Sequence, residues 1–292
     1  VLDNRYSRIL LLGLPVLALY GVPSYAQEIF TANQLLSQNT PGLQLDESLG
    51  DLKAASAALQ EFEPPKDLGI SAPAYTISNP SGYGLTFGSA SLAAGFSTEP
   101  SEQEEGQAGL GFGIGLGDPD QWVGLDLTYT FGNLLDEGNG GLSAKIHRSL
   151  VSTDQVNLAL AVGWEDFATT GDTPRVSSVY GVATAIFKLQ PDIRASFSRL
   201  SVTLGVGGGR FRSEEDIRDG EESVNVFASG SLRIARSLSV IAEWTGQELS
   251  AGISWAPFKQ YNFYITPSLR NLTADDSENV RFSLSTGVLI QF

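Results

Sequence analysis

The chain has no cysteine and no methionine, and a single histidine among 292 residues. The missing thiols exclude disulfides, thiolate metal sites and a thiol nucleophile. With one imidazole there is no multi-histidine metal centre, and any histidine catalysis would rest on His147 alone. Cationic side chains are also scarce: 18 Lys and Arg stand against 33 Asp and Glu, a formal charge of −15. That sign argues against nucleic acid as a partner and against docking on anionic lipid through a basic face. No stretch after the first residues reaches the roughly eighteen consecutive apolar residues of a membrane-spanning helix. If the chain crosses a membrane, it must do so with strands closed on themselves, since only helices and closed barrels satisfy the backbone in lipid.

What the sequence does contain divides into three textures. Residues 1–26 read as a cleaved secretory leader, with Arg5 and Arg8 ahead of the apolar run Ile9 to Tyr20 and a small-x-small site at Ser24-Tyr25-Ala26. Pro15 and a length about half that of a spanning helix speak against a permanent anchor. Residues 27–79 differ: Leu49, Leu52, Ala55, Leu59 and Phe62 fall at helical spacing between Asp46 and Glu63, and Pro64-Pro65 stops that helix. This N-terminal segment is expected either to plug a barrel formed by the C-terminal residues, to dock a partner, or to serve as a loosely packed linker. From residue 80 to 292 the pattern becomes uniform.

About twelve segments there have the roughly ten-residue length of a tilted membrane strand. In Trp122 to Phe131, Val123, Leu125, Leu127, Tyr129 and Phe131 alternate with Gly124, Asp126, Thr128 and Thr130; in Val156 to Trp164 the same period of two recurs. The first such segment is Tyr83 to Phe96 and the last Val280 to Phe292. Connections alternate long and acidic with short, as in Ser97 to Gln107 against Asp118-Pro119-Asp120; Thr245 to Gln247 breaks the alternation. Aromatics, Phe211 among them, lie mostly near strand ends, as interfacial girdles require.

The closing residues carry a resemblance. Ser285, Gly287, Ile290 and Phe292 are spaced as polar, any, glycine, two of any, hydrophobic, any, terminal aromatic. This is similar to the C-terminal assembly signal of bacterial outer-membrane β-barrels, porins included. The resemblance implies an all-β fold, a closed antiparallel transmembrane barrel of about twelve strands with both ends periplasmic. It further implies lipid, lipopolysaccharide and the barrel-assembly machinery as partners, and no cofactor. Homo-oligomers through lipid-facing strands are compatible with it.

On that reading the polar face lines the lumen: Asp126, Lys145, His147, Asn157, Arg210, Asn225, Arg233, Glu243, Asn262, Arg270 and Arg281. Two outcomes stay open. These charges filter small polar or ionic solutes in a porin-like passive channel. Alternatively Asp126, Glu243, Lys145, Arg233, Arg270 and Arg281 pair across the lumen and close it, leaving a non-conducting barrel that anchors or docks. A hydrolase around His147 with Ser143, Ser149 or Asp126 has no supporting signature, so the expectation is that the protein is not an enzyme. The acidic clusters at Glu102/Glu104/Glu105, Glu214 to Glu222 and Asp275/Asp276/Glu278 lack EF-hand spacing and read as solvated loops. Gly205 to Gly209 lacks the Lys-Ser/Thr of a phosphate loop and is expected to mark a bulge or bend.

Overall fold

The computed structural model describes residues 71–98, 107–132, 139–171, 175–273 and 280–292. The expected leader, the helix at 46–63 and the acidic clusters at 102–105 and 275–278 lie outside the described residues.

The strands are β1 (Ser89–Ser97), β2 (Gln107–Gly117), β3 (Gly124–Phe131), β4 (Gly140–Ser152), β5 (Val156–Thr170) and β6 (Ser178–Lys188). They continue as β7 (Arg199–Gly207), β8 (Asn225–Ala235), β9 (Leu238–Trp244), β10 (Leu249–Trp255), β11 (Asn262–Arg270) and β12 (Arg281–Gln291). Each pairs antiparallel with its sequence neighbours, and β12 pairs back onto β1 from Ser89↔Gln291 to Ser97↔Ser283, so the barrel is closed and no edge is left. A single α-helix, α1 (Glu214–Asp219), sits in the β7–β8 connection among the described residues.

Alternation decides which face is which. On β5, Leu160, Val162 and Trp164 are exposed on the outside while Ala159 and Ala161 are buried inside. Across the barrel the outward set is aliphatic and aromatic, with Val162 63%, Leu204 57% and Phe112 50% exposed. The buried set is largely hydroxylic: Thr184, Thr203, Ser250, Ser254 and Thr266 are inaccessible. A soluble sandwich has the reverse arrangement.

One part of the interior is apolar. Ala161, Tyr180, Val182, Phe211 and Phe227 form a buried cluster in which the Phe211 and Phe227 rings stack at 4.4 Å and Tyr180 meets both edge-on. Position in the sequence assigns Phe211 to the interfacial girdle; it is fully buried in the lumen instead, because the chain leaves β7 at Gly207 and folds inward as a 3₁₀ turn, Gly209–Phe211. Gly205 faces the ring of Phe227 and Gly207 that of Phe211, where a Cβ would collide with the aromatic carbons. The glycine run therefore makes room for two rings. Of the expected bulge or bend it is the bend that forms: β7 and β8 keep one register from Leu200↔Leu232 to Gly207↔Asn225, and the chain turns inward just after it, with Gly209 at φ +65°.

The largest departure from the sequence expectation precedes β1. Residues 83–88 do not belong to the first strand: Ser89 N–H donates to Thr86 O across a turn, with Gly88 at φ +79° where a type II turn favours glycine. Residues 71–88 form one irregular strap bonded along its length to side chains on the inner wall. The expected boundary between residues 79 and 80 falls inside this segment.

Candidate functional site: the lumen and its strap

A strap without regular structure must find acceptors for its own N–H groups, and here the barrel wall supplies them. Ala74 N–H donates to Ser254 Oγ (2.8 Å) and Gly82 N–H to Thr184 Oγ1 (2.9 Å). The main anchor is Glu243 on β9. Its carboxylate accepts the N–H groups of Ile77 (2.8 Å), Ser78 (2.7 Å) and Asn79 (3.1 Å), the Ser78 hydroxyl (2.7 Å) and the Ser229 hydroxyl (3.0 Å). Glu243 is 1% exposed, so these five bonds replace its hydration. Asn79 completes the clamp, its amide donating to the carbonyls of Ala228 and Trp244 and to Ser229 Oγ.

A second anchor lies on β3 and β4. Asp126 Oδ1 accepts the Leu85 N–H (2.9 Å), and Lys145 Nζ donates to the Tyr83 carbonyl (2.7 Å) while pairing with Asp126 Oδ2 (3.0 Å). His147 Nε2 lies 3.0 Å from the Leu85 carbonyl and 3.1 Å from Asp126 Oδ1. Both neighbours are acceptors, which places the proton on Nε2 and makes the imidazole a clasp for the strap. No hydroxyl is bonded to this ring among the described residues, and Ser143 Oγ instead accepts from the Asp166 N–H. A nucleophile–base pair is not formed here.

Beside the strap a cavity of about 390 Å³ opens against β3, β4 and β5, lined by Asp126, Lys145, Glu165, Asp166, Arg175 and Arg210 among others. Arg210 on the 3₁₀ turn pairs with Glu165 (2.5 Å) and also donates to the Ser78 carbonyl of the strap (3.1 Å); its guanidinium stands 4.2 Å over the Phe211 ring. Arg175 pairs with Asp166 (2.9 Å). A third ionic group joins β11, β12 and the β9–β10 turn, where Arg270 (2.5 Å) and Arg281 both bind the buried carboxylate of Glu248.

The eleven residues expected on the lumen therefore meet different fates. Asp126, Lys145 and His147 form one cluster; Arg270 and Arg281 share Glu248; Arg210 reaches the lumen from a turn and not from a strand. Asn157, Asn225 and Asn262 sit near strand ends, Asn225 Nδ2 donating to the Gly246 carbonyl. Arg233 is buried without a partner among the described residues. Among the described residues, the six charges named for pairing across the lumen bond to neighbouring elements or to the strap, Arg233 excepted. Ion pairs run laterally between neighbouring elements, and what spans the interior is backbone. Glu165, Asp166, Arg175 and Glu248 are ion-paired residues of the interior that strand periodicity misses. Glu165 falls past the Trp164 at which the alternation fades, although β5 continues to Thr170. Asp166 has φ +51° beside a register shift opposite Leu142/Ala144, and such a bulge re-aims a side chain that the period of two would send outward.

A closed antiparallel barrel with an aliphatic outer face, an inner wall of hydroxyls and ion pairs, and a polar cavity within is a transmembrane β-barrel of the bacterial outer-membrane type. No protein-family model matches the chain, and no curated protein matches its sequence. Among solved structures, the NanC porin aligns at a TM-score of 0.44 with 8% identity, over 70% of this chain and 100% of its own. The KdgM porin, in complex with disordered oligogalacturonate, aligns at 0.43 with 9% identity, over 69% and 99%. The outer-membrane protein Omp33 of Acinetobacter baumannii aligns at 0.38 with 10% identity, over 72% and 100%.

Proposed function

We propose that this protein is an outer-membrane channel for the passive passage of small polar or ionic solutes, its lumen narrowed by the strap 71–88. The carrying observation is the cavity of about 390 Å³ beside the strap, walled by three carboxylates and three cations with no apolar lining comparable to a ligand pocket. Charges already paired at a wall attract polar solutes weakly enough to release them, which conduction requires. The short-turn rim, near which the described chain begins at Ser71 and ends at Phe292, would face the periplasm, and the β7–β8 connection with α1 the outside.

The five bonds on Glu243 favour a second reading, a barrel held shut by its own strap. Planar-bilayer recording of the purified protein separates the two. Current in the intact chain supports the channel; current only after deletion of residues 27–79 supports the shut barrel; silence in both overturns passage altogether.

A further inference from the structure

We propose that the short-turn end of the lumen holds an oxyanion site built by Lys188, Arg199 and Arg233, which takes the carboxylate or phosphate group of a small anionic solute.

The placement comes from register. Lys188 on β6 lies opposite Arg199 on β7. One step beyond the Leu200↔Leu232 pair, Arg199 comes opposite Arg233 on β8, and Arg233 in turn is opposite Ser239 on β9. All four occupy lumen positions of their strands, in phase with the buried Thr184, Ser201, Ser231 and Ile241. Adjacent cross-strand positions stand about 5 Å apart. Three cations thus succeed one another along the wall.

None of the three forms an ion pair among the described residues, whereas the acids of the lumen are all engaged: Asp126 with Lys145, Glu165 with Arg210, Asp166 with Arg175, Glu248 with two arginines and Glu243 with the strap. Arg233 is the decisive member. It is 7% exposed, its Nη1 is buried with no acceptor, and its charged neighbour is Arg199, a like charge. A buried guanidinium is costly unless it is both paired and hydrogen-bonded. Its planar fork matches the two oxygens of a carboxylate or phosphate. Lys188 uses one of its three donors on the Thr153 carbonyl, and Arg199 Nη1 is held by the Gln190 and Ser198 carbonyls. These bonds steady both cations at the mouth, and the hydroxyl of Ser239 extends the row beside Arg233. Among the described residues, an anionic solute would find neutralised pairs along the cavity and three successive cations without an ion pair at this end.

The site deepens the channel reading and is tested without current. The full chain, folded in lipid-free detergent at low ionic strength, is titrated calorimetrically with inorganic phosphate. Saturable binding to one site is expected, weakened about tenfold in Arg233→Gln, the loss of one charge-assisted contact, and unchanged in Arg218→Gln on the opposite rim. Should Arg233→Gln not fold, the double change Lys188→Gln/Arg199→Gln carries the same expectation from more accessible positions. Absence of binding, or binding indifferent to these changes, overturns the site. In a second arm, native mass spectrometry with phosphatidylglycerol asks whether the occupant is a lipid headgroup: lipid retained only when Arg233 is intact, with no phosphate binding, overturns the solute assignment. A protein that binds phosphate but passes no current would refute the channel and leave the site standing.

Discussion

Glu243 accepts the backbone N–H of Ser78 at 2.7 Å, and this contact ties a wall strand to a segment that precedes the first strand. Glu243→Ala would leave three strap N–H groups without acceptors inside the barrel. Bonds to a charged acceptor contribute about 1.5–3 kcal/mol each and are not additive, so a loss of about 3 kcal/mol is expected. Heat-modifiability on gels should report a lower unfolding temperature, and bilayer recordings a larger or noisier conductance. Glu243→Gln, which keeps one acceptor oxygen, should fall between. A variant with wild-type stability and wild-type current would mean that the strap is held elsewhere.

The other anchor predicts a different pattern. Asp126→Asn leaves Lys145 without its carboxylate and sets an amide NH₂ at the Oδ2 position beside the ammonium, while an amide oxygen at the Oδ1 position still accepts from the Leu85 N–H and from His147 Nε2. Removing one member of a mostly buried pair costs about 3–5 kcal/mol, less the relief that Lys145 finds in the adjacent cavity. The double variant Asp126→Asn/Lys145→Gln should recover part of that loss in a double-mutant cycle. Strict additivity of the two single changes would deny the coupling.

Acid should act on the β7–β8 loop before it acts on the barrel. Ser213 caps α1, its hydroxyl accepting the Asp216 N–H at 3.1 Å, and the Ser223 hydroxyl donates to Asp216 Oδ2 at 2.6 Å. The bond from Ser223, then that with Ser213, holds the Asp216 carboxyl below its ordinary value. A group lowered in the folded state stabilises above its unfolded value, and that contribution fades as pH falls through the folded one. Pepsin cleavage within 213–223 should therefore increase as the pH falls below the ordinary carboxylate range. Asp216→Asn should flatten that dependence, and an unchanged pH profile in this variant would assign the transition to another group.

Glycines of similar sequence context should behave oppositely. Gly207→Val would drive a branched side chain into Phe211 and the backbone of β6, and overpacking of this kind costs about 1–3 kcal/mol. Gly181→Ala and Gly230→Ala face open space on the outer wall and should leave the unfolding temperature unchanged or raise it. Comparable losses at all three positions would contradict the inward placement of the Phe211 and Phe227 cluster.

That contrast also shows what a sequence reveals of such a fold. The strand count and closure are legible because a period of two survives wherever one face meets lipid, as Leu125, Leu127, Tyr129 and Phe131 illustrate against Asp126 and Thr128. The strap is not, because Tyr83, Leu85 and Phe87 alternate as a strand would while their backbone bonds go largely to side chains. Asp166 escapes through its left-handed backbone, and Glu248 through its place beside a tight turn. The signals that do point to the strap are chemical: Pro73 and Pro80 bracket N–H groups that no ladder could satisfy, and Glu243 is an acid with no base in register.

The last residue offers the sharpest separation between folding and assembly. Phe292 is 88% exposed, and its contribution to the finished barrel is one backbone bond, its N–H donating to the Gly88 carbonyl at 2.9 Å. Phe292→Ala keeps that bond and removes only an outward ring. If the ring served the folded state alone, the variant would be nearly neutral, within the roughly 0.5 kcal/mol typical of surface changes. If Ser285, Gly287, Ile290 and Phe292 act as an assembly signal, the purified variant should refold in detergent as well as the parent yet reach the membrane in much smaller amounts in cells. Membrane fractionation after a pulse of expression measures the second, and gel mobility after refolding the first. Equal insertion of the parent and Phe292→Ala would remove the signal from the account and leave Phe292 as a ring at the lipid boundary.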